Sequence, residues 1–168
     1  MIKIKIENEY SSLKTVILGI ANDIGEPPNI FDAYDPRSLY HAKNNSFPDE
    51  NDLIKNVEKF YNKLLKHNVE ILRPENIPNC NQIFTRDLGF VISNIFFISN
   101  IVPARQDEIQ GIENIIKNLD VGVIKLPEFM HIEGGDVVLH NGKLFIGTYL
   151  DANLSLIHIS EPTRQAEI

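Results

Sequence analysis

Three carboxylates in this sequence stand where they could act together. Glu133 and Asp136 bracket two adjacent glycines in His131-Ile132-Glu133-Gly134-Gly135-Asp136-Val137-Val138-Leu139. Asp87 closes a second stretch, Asn81-Gln82-Ile83-Phe84-Thr85-Arg86-Asp87, which also runs into an apolar segment. A Gly-Gly pair allows a tight backbone passage, so the acids are aimed at one place just before a strand begins. Any one of these acids alone reads as a solvated group at a turn. Taken with Phe84 and Asn81, the set suits a planar cation, because carboxylates in fixed positions take its N–H groups two at a time while an aromatic ring covers its face. The ligand fitting that description is a guanidinium, and the pattern is that of an enzyme site.

The rest of the chain limits what such a site can belong to. At 168 residues and 43% hydrophobic content the sequence supports one globular core, or part of one. A net charge of −7 and a pI near 5.2 argue against nucleic acid or an anionic membrane as the main partner. The longest apolar runs fall short of a membrane helix, and Met1-Ile2-Lys3-Ile4-Lys5-Ile6 alternates where a signal peptide would be continuously apolar. A cytoplasmic protein whose partners are small molecules or other proteins is expected. The single cysteine, Cys80, excludes an internal disulfide and a cysteine-based metal cluster; no metal and no cofactor is expected.

The positioning elements follow from periodicity. Lys3 to Ile6 reads as an edge strand and Thr15 to Ile20 as a buried strand. Ala21 to Pro48 loses periodicity and carries four prolines, which predicts a long ordered loop acting as a cover. Asp49 or Asp52 caps a helix to about His67, with Leu53, Val57, Phe60 and Leu64 on one face and Ile54, Tyr61 and Leu65 beside them. A strand over Asn68–Arg73 follows, ended by Pro74. Phe90–Ile92 and Ile95–Ile98 form a hairpin through Ser93-Asn94. Ile109, Ile112, Ile115, Ile116 and Leu119 mark an amphipathic helix, and Val121 to Leu126 a strand. After Asp136 the order restarts with Val137–Leu139, an Asn141-Gly142 turn and Leu144–Gly147. Strand pair, helix, strand recurs at about fifty residues, the mark of a modular array.

With the elements in place, the resemblance becomes specific. Asn81 to Asp87 resembles the N-x-x-F-T-R-D motif, and Glu133-Gly134-Gly135-Asp136 the E-G-G-D motif, of the guanidino-group-modifying enzymes of the pentein fold: arginine deiminases, dimethylarginine dimethylaminohydrolases and amidinotransferases. Asn8 to Gly19 is similar to the first strand of the amidinotransferase-like branch, and Arg105 with Glu108 to the family's R-x-x-E pair. The resemblance implies an α/β propeller of five ββαβ units, of which this chain would hold about two and a half, truncated in the third. It implies a substrate that is arginine or a derivative. Asp87 would hold the guanidinium nitrogens with Phe84 over them. Glu133 would serve catalysis by orienting substrate and supporting a histidine, and Asp136 would brace the Gly-Gly turn. Arg105 would bind a substrate carboxylate beside Asn81, or else be an exposed ion-pair partner of Glu108. His131 falls on the side of Glu133 by strand alternation and reads as a partly buried histidine or a supporting contact.

The same resemblance points to what is missing. The family's H-x-D histidine and late nucleophilic cysteine have no counterpart, and Cys80 reads as a structural thiol. The chain is therefore expected to be inactive as it stands. Gly147-Thr148-Tyr149-Leu150-Asp151 lacks the arginine that deiminases carry near this point, which favours the amidinotransferase-like branch. A non-catalytic pentein of the ribosome-associated initiation-factor type is the alternative, and the clustered acids speak against it. Residues 1–153 are expected to form the pentein portion. Leu154 to Arg164 resembles the translation of a transposase-type sequencing adapter, so 154–168 is expected to be a non-native tail.

Overall fold

In the computed structural model, residues 2–33, 36–147 and the strand 165–167 are described. They form four small sheets and three α-helices. Strand β1 (Ile2–Lys3) pairs in parallel with β6 (Leu119–Asp120), and β2 (Thr15–Ile17) in parallel with β3 (Glu70–Leu72). The predicted hairpin is present as β4 (Gly89–Ile92) and β5 (Ile95–Ile98), with Ser93 at φ 54° in the turn. Strand β7 (Gly122–Lys125) then adds to β5 in parallel, giving the order β4-β5-β7. The strand pair and the strand after the helical segment, as read from the sequence, therefore form one sheet. The next pair, β8 (Val137–His140) and β9 (Lys143–Gly147), is joined at Asn141 and Gly142, both at positive φ, as an Asn-Gly hairpin requires. Strand β10 (Gln165–Glu167) lies antiparallel to β9. No closed barrel forms among the described residues.

Helix α2 (Glu50–Lys66) matches the predicted one, and Asp49 caps it by accepting a hydrogen bond from the Asn51 N–H at 2.8 Å. Its apolar face is less buried than the periodicity suggests. Leu64 alone on it is buried, while Phe60 stays 54% exposed, because the two-stranded β2–β3 sheet beside it is narrow. Three further expectations are corrected. The 21–48 loop contains a helix, α1 (Pro36–Asn44), with none of its residues buried. The amphipathic helix begins earlier than its isoleucines imply, as a 3-10 segment Pro103–Ile112 started by proline, and only Glu113–Lys117 is α-helical (α3). The N-terminal strand spans Ile2–Lys3, with Ile6 bridged singly to Ser93. Leu154 to Arg164 lie outside the described residues.

The main core joins these pieces. Leu88, Phe96, Ile101, Ile112, Ile116 and Leu119 pack together, bringing the residue after Asp87 against the hairpin and the Arg105 segment. A second cluster of Phe90, Leu126 and Val137 ties the hairpin to β8. Leu88 has no exposed surface and sits next to an acid of the site. Leu88→Ala is expected to lower stability by about 2–5 kcal/mol, the usual range for a large-to-small change in a packed core. Urea unfolding measures it, and a loss under about 1 kcal/mol would mean that this core is not formed.

Candidate functional site

The two acid-bearing stretches are both 3-10 turns, and they are stacked on each other. Thr85–Leu88 leads into β4, and Gly134–Asp136 leads into β8. A Cβ on Gly134 would lie 2.1 Å from the Arg86 carbonyl oxygen and 2.4 Å from that of Gly89, so only glycine lets the second turn rest on the first. Asp136 closes its own turn: its carboxylate accepts from the Glu133 N–H at 3.3 Å, and its N–H donates to the Glu133 carbonyl at 2.9 Å. Arg86 crosses between the turns, donating to the Val137 carbonyl at 2.8 Å. Thr85 anchors the first turn to β2 by donating its hydroxyl to the Ile17 carbonyl at 2.9 Å.

Gln82 supports this arrangement from beneath. It is fully buried, donates to the Glu75 carbonyl at 2.8 Å and accepts from the Ile77 N–H at 2.7 Å. Its own carbonyl accepts from Ile20 N–H at 3.2 Å. The sequence reading gave Gln82 and Arg86 no separate role. Nothing in their neighbours marks a glutamine that replaces missing backbone partners, although an amide between two apolar stretches is the kind of residue that does so.

At the centre lies Arg105, and it is buried. Its Nε and Nη2 donate to the two oxygens of Glu108 at 2.6 and 2.9 Å. Its Nη1 donates to Asp87 Oδ2 at 2.9 Å and stands 3.7 Å from Glu133 Oε2. The guanidinium carbon is 5.8 Å from the centre of the Phe84 ring. Three carboxylates from three stretches thus surround one guanidinium. Of the two sequence readings of Arg105, the pairing with Glu108 is present, but the pair is buried, not exposed. Asp87, Phe84, Arg105 and Glu133 are brought together, with Asp136 one turn behind. Asn81 is exposed, and its side-chain oxygen accepts from the Ile83 N–H at 3.2 Å; it forms no hydrogen bond to Arg105 among the described residues. His131 is exposed and outside any strand, so the alternation that placed it with Glu133 does not apply.

The electrostatics follow from burial. Burial works against the charge on Arg105, but the hydrogen bonds and charges of Glu108 and Asp87 outweigh it and hold the proton more tightly than usual. Burial pushes Glu108 above the ordinary 4.5, Arg105 pulls it back, and Asp87 and Glu133 push it up again. Burial also raises the Cys80 thiol, helped by Glu108 and Asp107 against Arg105. A thiol held protonated is a poor nucleophile. Among the described residues no group of three or more His, Cys, Asp or Glu side chains is arranged to hold a metal ion, and no helix is long and apolar enough to cross a membrane.

The fold is pentein-like and is shared with two solved amidinotransferases. Inosamine-phosphate amidinotransferase StrB1 from Streptomyces griseus superposes with a TM-score of 0.63 at 12% identity, over 82% of this chain and 53% of that one. SxtG, an amidinotransferase of the saxitoxin pathway from Microseira wollei, gives 0.59 at 15% identity, over 82% and 52%. At these identities the likeness is one of fold. In sequence the chain is 31% identical over 117 residues to the uncharacterized protein YkgA of Bacillus subtilis (strain 168), covering 66% of this chain and 41% of YkgA. No protein-family model matches it. The chain spans about half the length of the solved structures and about two fifths of YkgA.

Two outcomes test the site's construction. Gly134→Ala forces the stacked turns apart against backbone atoms, and is expected to destabilise the fold by about 1–3 kcal/mol. It should also loosen Arg105, seen as faster solvent exchange of its Nε–H; unchanged exchange would contradict the nesting. The raised Glu108 gives a pH dependence. The folded state holds this proton more tightly than the unfolded chain, so the contribution of Glu108 to stability is fully present below the ordinary 4.5 and is lost as pH rises through the raised value. Glu108→Gln should flatten that part of the curve, measured as urea midpoints between about pH 4 and 7; a slope identical to wild type would assign it to another group.

Proposed function

We propose that the cluster of Asp87, Glu133 and Phe84 binds a guanidino group, and that the chain is part of a guanidino-modifying enzyme of amidinotransferase type. One observation carries the reading. Acids from two sequence-distant turns converge on a single guanidinium nitrogen, at 2.9 and 3.7 Å, with an aromatic ring alongside. That is the recognition chemistry a guanidino substrate needs, already realised inside the protein on Arg105. The likeness in fold to two amidinotransferases and the motif resemblance support the same class.

In this reading the small sheets are blades of a propeller built from ββαβ units. Residues 1–153 form its native portion, and 154–168 are a non-native tail whose strand β10 adds to the edge at β9. Arginine or a derivative is the substrate. Asp87 holds its nitrogens, Phe84 covers its face, Glu133 orients it, and Asp136 keeps the turn closed. Arg105 and Asn81 face the carboxylate end of the substrate once it is bound. In the complete enzyme a cysteine thiolate attacks the guanidinium carbon and an amine leaves; the resulting thiouronium passes to an acceptor amine, or to water in a deiminase. Cys80 does not serve, being held protonated beside acids.

This chain is accordingly a binder without turnover. L-Arginine should bind, and Asp87→Asn should weaken it about ten- to hundredfold, the value of one charge-assisted hydrogen bond. Isothermal titration measures both. Citrulline, ornithine or transferred amidine in the reaction mixture would contradict the absence of turnover, and equal affinity of the Asn variant would remove Asp87 from the site.

A further inference from the structure

Arg105 makes from within the protein the contacts that a guanidino ligand would make from outside. Its Nη1 is on Asp87 and near Glu133, and its carbon is beside the Phe84 ring. The acids are covered in consequence. The side chains of Asp87 and Glu133 are 13% and 12% exposed, whereas Phe84 is 55% exposed, so an incoming group meets the ring but not the carboxylates.

The hold on Arg105 is uneven. Glu108 clamps it at two points, 2.6 and 2.9 Å, from three residues along the same 3-10 segment. Glu133 at 3.7 Å is beyond hydrogen-bond reach, and Asp87 makes one contact from another turn. If the arrangement opens, Arg105 and Glu108 therefore move as a unit, and the contacts to Asp87 and Glu133 break together with the long hydrogen bond from Nη2 to the Phe84 carbonyl at 3.4 Å. Charge favours an exchange of cations there. Three carboxylates face one guanidinium, and a second guanidinium would relieve the excess of negative charge.

We propose that Arg105 is an internal occupant of the acid cage, an autoinhibitory contact that a guanidino ligand displaces. On entry of the ligand, Nη1 gives up Asp87 and Glu133 while Nε and Nη2 stay on Glu108 and the pair swings aside. This rests on the guanidino-binding reading above. Apparent affinity is then lowered by the fraction of molecules whose cage is filled. A shorter side chain that cannot span Glu108 and Asp87 together leaves the cage open.

The probe is methylguanidine, added to the isotope-labelled 168-residue chain and followed in the arginine side-chain NMR signals, with calorimetric titration of wild type and Arg105→Lys. Saturation is expected to shift Arg105 Nη1 and leave Nε in place, and the Lys variant to bind about tenfold tighter because the filled state no longer competes. Binding of methylguanidine with Nη1 unmoved would overturn the internal-occupant proposal and leave the guanidino-binding reading standing. Binding to neither protein would overturn both. Should the Lys variant fail to fold, judged by its amide spectrum, the wild-type Nη1 and Nε signals decide the matter alone.

Discussion

A guanidinium taken out of water has to be met by acids, and in this protein that requirement organises the site. Breaking a buried ion pair by removing one partner costs about 3–5 kcal/mol, because a charge is left stranded. Arg105 recruits its partners from the turn before β4, from its own 3-10 segment and from the turn before β8. These stretches are separate in sequence, and the Arg105 guanidinium reaches all three. The hydrophobic clusters bring the elements near one another, but they are not directional. Five N–H donors in a rigid fork are, and they fix where each carboxylate must point.

The backbone makes that convergence feasible. Gly134 lets one turn sit directly on the carbonyls of the other, and Gly19 and Gly111 allow similar approaches to the chain around Gln82, where a Cβ would fall 2.2 and 2.1 Å from neighbouring atoms. Leu88 and Val137, each directly after an acid, are buried in the two cores. Each acid is thus held between a packed residue and a glycine-dependent turn. Such positioning by rigid neighbours is what a binding constellation needs to stay within fractions of an ångström of its working geometry.

How far this could be read in the sequence varies with the physical signal. The hairpins announced themselves through alternation and turn residues, and α2 through its cap and stripe, because those signals are local. The stripe of α2 nevertheless overstated its burial, since the width of the opposing sheet is not encoded in the helix. The 3-10 course of Pro103–Ile112 was hidden behind isoleucines spaced as in an α-helix. In the site, the acids and Phe84 were legible from type and spacing. Two things were not. The burial of the Arg105–Glu108 pair depends on packing from other elements, and Asn81 turns back on its own chain at a distance set by one local hydrogen bond.

The central claim is that Arg105 and the acid of the first turn are energetically coupled, not merely near each other. A double-mutant cycle on Arg105→Lys and Asp87→Asn, read by urea unfolding, tests it most directly. The account predicts an interaction energy of about 1–3 kcal/mol, as found for groups sharing one ion-pair network. Effects that simply add, within about 0.5 kcal/mol, would contradict it and leave the acids held by their turns alone.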